Sequence, residues 1–180
     1  VHLVEDGYDL VVRIGVLEDS GLIARRVGDC PLYLCASPDL VARGGWPEKP
    51  ADLSALPAVI YSIAADGTSW SCRGQSGDSH SVALRPALYA NSAGMMLEAC
   101  LAGVGVALLP QFSCAESLAA GRLVRLLPSF DTVPDRGIYV VYPDKRFVPL
   151  KVRSLIDVIA AELRSGDGDG YHPERAANGV

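Results

Sequence analysis

No apolar run in these 180 residues is much longer than a β-strand, far short of the roughly 20 residues a membrane helix needs. A helical membrane span is therefore not expected. Histidine is scarce: His2 is terminal, His80 falls in a polar loop and His172 in the tail, too scattered for a metal or acid–base site. The five cysteines, Cys30, Cys35, Cys72, Cys100 and Cys114, form no C-x-x-C pair and no metal-like spacing. Cys35 and Cys100 lie among apolar residues and read as small buried hydrophobes rather than a disulfide, which suits a reducing cytoplasm. Basic charge is thin as well. Lys and Arg total 16 against 21 Asp and Glu, a net charge of −5, and the densest basic points, Arg25-Arg26 and Lys145-Arg146, are only pairs. A nucleic-acid module needs a basic face or stripe, so this chain by itself is not expected to hold DNA.

Catalytic signatures are missing too. There is no G-x-S-x-G elbow, no H-E-x-x-H helix and no Walker-type loop. Gly103-Val104-Gly105 follows a helix, whereas a dinucleotide loop follows a strand. Asp167-Gly168-Asp169-Gly170 resembles the start of a calcium loop but lacks its downstream glutamate. Ser37 before Pro38-Asp39 is a helix cap rather than a nucleophile. No enzyme, metal or cofactor is expected. The opening VHLVEDGYDL has neither a basic head nor an apolar run, so no secretory leader is expected; it also begins without Met, so Val1 can be an internal position of a longer chain.

What is present is an alternation of strands and helices, on a length that suits one domain or two small lobes. The clearest unit is residues 89–110, YANSAGMMLEACLAGVGVALLP. Tyr89-Ala90 ends a strand, Asn91-Ser92 can cap a helix carrying Met95, Met96, Ala99 and Cys100, Gly103 stops it, and Val104 to Leu109 forms a second strand. Strands joined this way should be parallel, and ligands bind beyond the carboxyl ends of such strands, where helix N-termini point their donors. Asn91 and Ser92 either cap alone or also face a ligand, and Gln111, after Pro110, occupies an analogous strand-to-helix switch.

Elsewhere 8–15 reads as a strand ending at Gly15, after a helix end at 5–7. Leu22 to Val27 and Pro31 to Ala36 are extended runs broken near Gly28-Asp29. A helix runs from Ser37 to Gly44-Gly45, a helical turn lies at 50–56 and a strand at Ala58 to Tyr61. Thr68 to Arg73 and Ser81 to Leu88 pair as a hairpin across Gly74 to His80. Gln111 to Ala120 is helical, Leu123 to Leu127 and Ile138 to Tyr142 are strands. Val152, Leu155, Ile156, Ile159 and Leu163 form one apolar helix face. The tail beyond Ser165 has little apolar content and is expected to be disordered. The class is α/β.

Six segments in order resemble the effector-binding domain of the LysR-type transcriptional regulators over roughly residues 3–163. They are LVEDGYDLVVRIG (3–15), LIARRVG (22–28), LYLCASPDLVARGG (32–45), ANSAGMMLEACLAGVGVALLP (90–110), LAAGRLVRLLP (118–128) and IYVVYPDKRFVPLKVRSLIDVI (138–159). The resemblance implies a type 2 periplasmic-binding-protein-like fold, with two α/β lobes, crossing strands and a cleft between lobes. Residues 1–165 would be a partial effector-binding domain, with lobe one at 1–30 and 141–165, lobe two at 31–140, and 166–180 as tail.

The same resemblance implies a small-molecule effector, homo-oligomers, and promoter DNA bound through an N-terminal helix-turn-helix that these residues lack, together with the first strand–helix–strand of lobe one. Its cleft-facing positions map to Ile14, Gly15, Tyr61, Ser62, Asn91, Ser92, Pro110 and Gln111. A periplasmic solute-binding protein shares the architecture and is the rival reading.

Overall fold

The computed structural model describes residues 7–15, 22–62, 68–133, 136–143 and 148–166. Strands β1 (Val11–Gly15), β2 (Leu22–Asp29) and β3 (Leu32–Ala36) come first. Helix α1 (Pro38–Gly44) opens where Ser37 Oγ accepts the Leu40 N–H at 3.3 Å, with Pro38 in the first turn, where a missing N–H costs nothing. A 3-10 turn, Pro50–Ala55, leads into β4 (Pro57–Tyr61). Then follow β5 (Ser69–Gly74), β6 (Ser79–Ala83), β7 (Arg85–Ala90), α2 (Ala93–Leu101) and β8 (Val106–Pro110). The series ends with α3 (Gln111–Ala119), β9 (Val124–Arg125), β10 (Phe130–Val133), β11 (Gly137–Pro143) and α4 (Leu150–Gly166). The helix end expected at 5–7 falls, except for Gly7, outside the described residues, as do His2, His172 and the calcium-loop-like 167–170.

The chain divides into two compact units: Val1–Cys30 with Asp135–Val180, and Pro31–Pro134. The expected return to the first lobe at 141 is therefore too late. Ile138 to Pro143 already pair along β11 with β2, and Ile138 to Val141 with β1, so the whole of β11 belongs to unit 1. The break expected at Gly28-Asp29 also moves, because β2 runs through Asp29 and ends before Cys30-Pro31.

Unit 2 is built on a five-stranded sheet ordered β7-β4-β8-β3-β9, in which β7, β4 and β8 are parallel and β3 runs against β8. Side chains alternate between two cores, as the period of two requires. Leu34, Ala36, Ala58, Ile60 and Val106 pack with Leu40, Val41, Leu53 and Leu56 on one face. Cys35, Val59, Ala90, Ala107 and Leu109 pack with Met96, Ala99, Cys100, Cys114 and Leu118 of α2 and α3 on the other.

Helix α2 stops as its sequence predicts. Gly103 takes φ 71, its N–H reaches Cys100 O at 3.0 Å, and the Val104 N–H reaches Ala99 O at 3.0 Å, the paired bonds of a Schellman end. Two residues later Gly105 is pressed on Pro57: an added Cβ would lie 2.7 Å from the Pro57 carbonyl oxygen, so only glycine lets β8 approach β4 this closely.

A second sheet of unit 2, ordered β10-β5-β6, lays Trp70, Val82 and Phe130 on the first core. Here the sequence reading needs three corrections. Ser81 to Leu88 is not one strand: β6 ends at Ala83, Leu84 N–H bonds Thr68 O at 2.9 Å, and β7 starts at Arg85 in the other sheet. His80 lies in β6 opposite Cys72, not in the loop. Leu123 to Leu127 is mostly not strand, since only Val124 and Arg125 join the ladder with β3.

Unit 1 carries the antiparallel sheet β1-β11-β2. Helix α4 crosses it, with Arg25 of β2 on Asp157 at 3.1 Å. Its buried stripe is Val152, Ile156 and Ala160, spaced by four; Leu155, expected on that face, is 47% exposed at its margin.

Candidate functional site

Three parallel strands of unit 2 end side by side. The β4–β7 ladder pairs Tyr61 with Ala90, and the Ser62 N–H donates to Ala90 O at 2.9 Å. Strand β8 runs parallel to β4 on its other side, which brings Leu109-Pro110 level with this end. Pro110 also pairs with Leu32, the first residue of β3, and the Gln111 N–H donates to Pro31 O at 2.9 Å. The structure thus gathers six of the eight expected residues, Tyr61, Ser62, Asn91, Ser92, Pro110 and Gln111, on one edge of one sheet.

Two helices begin at that edge, α2 just beyond β7 and α3 directly after β8. Their first N–H groups have no partner within the helix. In α2, Ser92 Oγ accepts from Met95 N–H at 3.3 Å and Ser92 O from Met96 N–H at 3.1 Å, and the first N–H groups of the helix, those of Ala93 and Gly94, have no acceptor within it. Ser92 is therefore a cap, as the sequence suggested, with its oxygen already engaged. Asn91 and Ser62 are exposed, and Tyr61 and Gln111 half-buried. Among the described residues none of these four side chains has a hydrogen-bond partner within the protein, so their amides and hydroxyls are available to a bound molecule.

None of the six carries a formal charge. The attraction on offer is that of neutral donors and two helix N-termini, the arrangement that suits a carboxylate or carbonyl oxygen. The sequence reading missed Gly94, where an added Cβ would meet nothing within 4 Å, and Phe112, 63% exposed in the first turn of α3. An aromatic side chain at a position facing away from the core was the available signal for Phe112. Ile14 and Gly15, the other two expected residues, end β1 in unit 1 opposite Ile138 and Gly137. Ile14 is 45% exposed, and Gly15 takes φ 149 with open space where a Cβ would be. Among the described residues no group of three or more His, Cys, Asp or Glu side chains could hold a metal ion, and no helix is long and apolar enough to cross a membrane.

The profile of the LysR substrate binding domain matches residues 1–164, nearly the whole chain. The chain belongs to that family. As a LysR substrate-binding domain it has the α/β, periplasmic-binding-protein-like fold of its solved neighbours. It is 36% identical over 163 residues to the HTH-type transcriptional regulator PtxR of Pseudomonas aeruginosa, covering 89% of this chain and 51% of PtxR. It is 34% identical over 155 residues to the HTH-type transcriptional activator AaeR of Escherichia coli K12, covering 86% and 50%. The structure of CrgA, a LysR-type transcriptional regulator from Neisseria meningitidis, superposes with a TM-score of 0.76 at 27% identity, over 89% of this domain and 54% of that chain. The domain thus spans about half the length of the curated relatives it matches, and those relatives are named as regulators rather than enzymes.

Proposed function

We propose that this LysR domain is the sensing part of a cytoplasmic transcription factor. A small metabolite presenting a carboxylate or carbonyl binds at the carboxyl edge of the unit 2 sheet and changes DNA binding by an N-terminal helix-turn-helix outside these residues. One observation carries the reading: Asn91, Gln111, Tyr61 and Ser62 bring four uncommitted polar side chains to the shared end of three parallel strands and two helices. Ile14 and Gly15 are proposed as further effector contacts. The partners are the effector, further copies of the same protein in a dimer or tetramer, and promoter DNA through the missing domain. No catalytic step is involved. Net negative charge, with basic residues clustered no more densely than in pairs along the sequence, fits a chain that leaves DNA contact to another domain. The periplasmic solute-binding alternative is not favoured, since the relatives are transcriptional regulators.

To switch anything, the metabolite must bind one conformation better than the other, and a tenfold preference corresponds to about 1.4 kcal/mol. Asn91→Ala and Gln111→Ala test the site more cleanly than Ser92→Ala, because neither side chain holds an internal bond. In the full-length regulator, a panel of small carboxylic acids is screened for thermal stabilisation of the wild type. A stabilising acid should bind the double variant roughly tenfold or more weakly, at about 1 kcal/mol per lost hydrogen bond. Undiminished binding in the double variant removes these residues from the site.

A further inference from the structure

The ligand edge of unit 2 offers neutral donors, yet a cation stands beside it. The basic residues of unit 2 are Arg43, Lys49, Arg73, Arg85, Arg122 and Arg125. Arg122 is held by Glu116 at 3.5 Å, and Arg73 lies opposite Asp131 in the smaller sheet. Three others belong to the far, amino end of the larger sheet. Arg85 opens β7 opposite Pro57, Lys49 precedes the 3-10 turn before β4, and Arg43 lies against Gly103, ahead of β8. Arg125 alone remains for the carboxyl edge.

Arg125 of β9 pairs with Cys35, and its guanidinium carbon lies 3.8 Å from the centre of the Tyr33 ring. A long hydrogen bond of 3.5 Å runs from its Nη2 to the Pro128 carbonyl. Strand β9 runs against β3, so both contacts draw the guanidinium toward the start of β3, where Leu32 pairs with Pro110. Tyr33 is opposite Leu109, one strand spacing of about 5 Å away, and Leu109 is two residues before Gln111. Tyr33 and Tyr61 pack on the same core as Leu109 and α3, Tyr33 from β3 and Tyr61 from β4, the two neighbours of β8. Among the described residues no carboxylate lies within ion-pair distance of Arg125. A guanidinium laid flat on a ring is held in place by one face while the N–H groups along its rim stay open to an acceptor.

We propose that Arg125, positioned by Tyr33, is the charge-recognition residue of the ligand edge, and that the effector is a hydroxy- or oxo-carboxylic acid. Its carboxylate takes the Arg125 guanidinium on the β3 side of α3, and its second oxygen reaches Gln111. A charge-assisted hydrogen bond is stronger than a neutral one, so Arg125 selects an acid over a neutral carbonyl compound of the same shape. The inference rests on the functional reading above, which left carboxylate and carbonyl as equals.

The full-length regulator is titrated with small hydroxy and oxo acids and with the methyl esters of the same acids. Wild type should bind an acid roughly tenfold or more tightly than its ester. Arg125→Gln should weaken the acid by about that factor and leave the ester unchanged, and Arg125→Lys, which keeps the charge, should restore part of the preference. If Arg125 only shields Tyr33, Arg125→Gln lowers the melting temperature of the free protein and weakens acid and ester alike, which overturns the proposal. An ester that binds wild type as tightly as its acid overturns it without any variant, so the question is decided even if Arg125→Gln fails to fold. A double variant Asn91→Ala, Gln111→Ala that binds weakly, beside an Arg125→Gln that keeps the acid preference, overturns Arg125 and leaves the edge standing. The reverse pair of results supports Arg125 as an anion site and overturns the edge.

Discussion

Strands β1 and β4 are both five residues long and rich in branched apolar side chains, VVRIG against PAVIY, yet they end in opposite surroundings. In β4, Ala58, Val59 and Ile60 are at most 2% exposed; in β1, Val12 is 47% and Ile14 45% exposed. Composition does not separate them. Position in the sheet does: β4 lies between β7 and β8 with a core on each face, while among the described residues β1 pairs with β11 alone, at the edge of three strands. Burial is conferred by neighbours, and a strand's tolerance of substitution follows from its place in the order rather than from its letters.

The largest effect should come from the buried side of that contrast. Ile60→Ala should destabilise by about 2–5 kcal/mol, read as a lower urea midpoint. Gly105→Ala comes next. Its methyl group would meet backbone atoms of Pro57 at 2.7 and 2.9 Å, atoms that cannot rotate away, so β8 must retreat from β4 at a cost of about 1–3 kcal/mol. The smallest is Ile14→Thr in β1, which keeps a β-branched side chain on an exposed edge and should change stability by no more than about 0.5 kcal/mol. A cost at Ile14 equal to that at Ile60 would break the comparison, because it would mean that β1 is covered as fully as β4.

Much of this was legible in the letters where local chemistry decides. Ser37-Pro38 and Ser92 begin helices and Gly103 ends one because caps and positive φ are properties of a few adjacent residues. The two strand-to-helix switches were legible for the same reason: Asn91-Ser92 and Pro110-Gln111 mark them. What escaped depends on distant partners. Strand β10, FDTV, went unnoticed because it is four residues long and its partner β5 lies some 60 positions earlier in sequence. The division of Ser81 to Leu88 was hidden because alternation continues across Leu84 while the strand changes sheets. Leu155 keeps the right spacing for the core face of α4, but spacing cannot say how wide a stripe the sheet beneath will cover. The available donors of Ala93 and Gly94 follow from the cap alone, and the exposure of Phe112 from its place off the Cys114–Leu118 face of α3.

The Cys30 N–H donates to Arg136 O at 2.9 Å, so the chain leaves unit 1 and comes back to it at hydrogen-bonded neighbours, and everything between them is unit 2. The returning strand, β11, takes the middle place between β1 and β2. A ribosome working from the amino end therefore delivers both outer strands before the central one exists. At roughly 5–20 residues per second, β1 and β2 wait on the order of 5–20 s while the intervening unit is made. Unit 2 holds all its own strands and can close during that wait. Among the described residues, unit 1 finishes by placing its central strand between two strands made earlier, and its sheet closes later than that of unit 2.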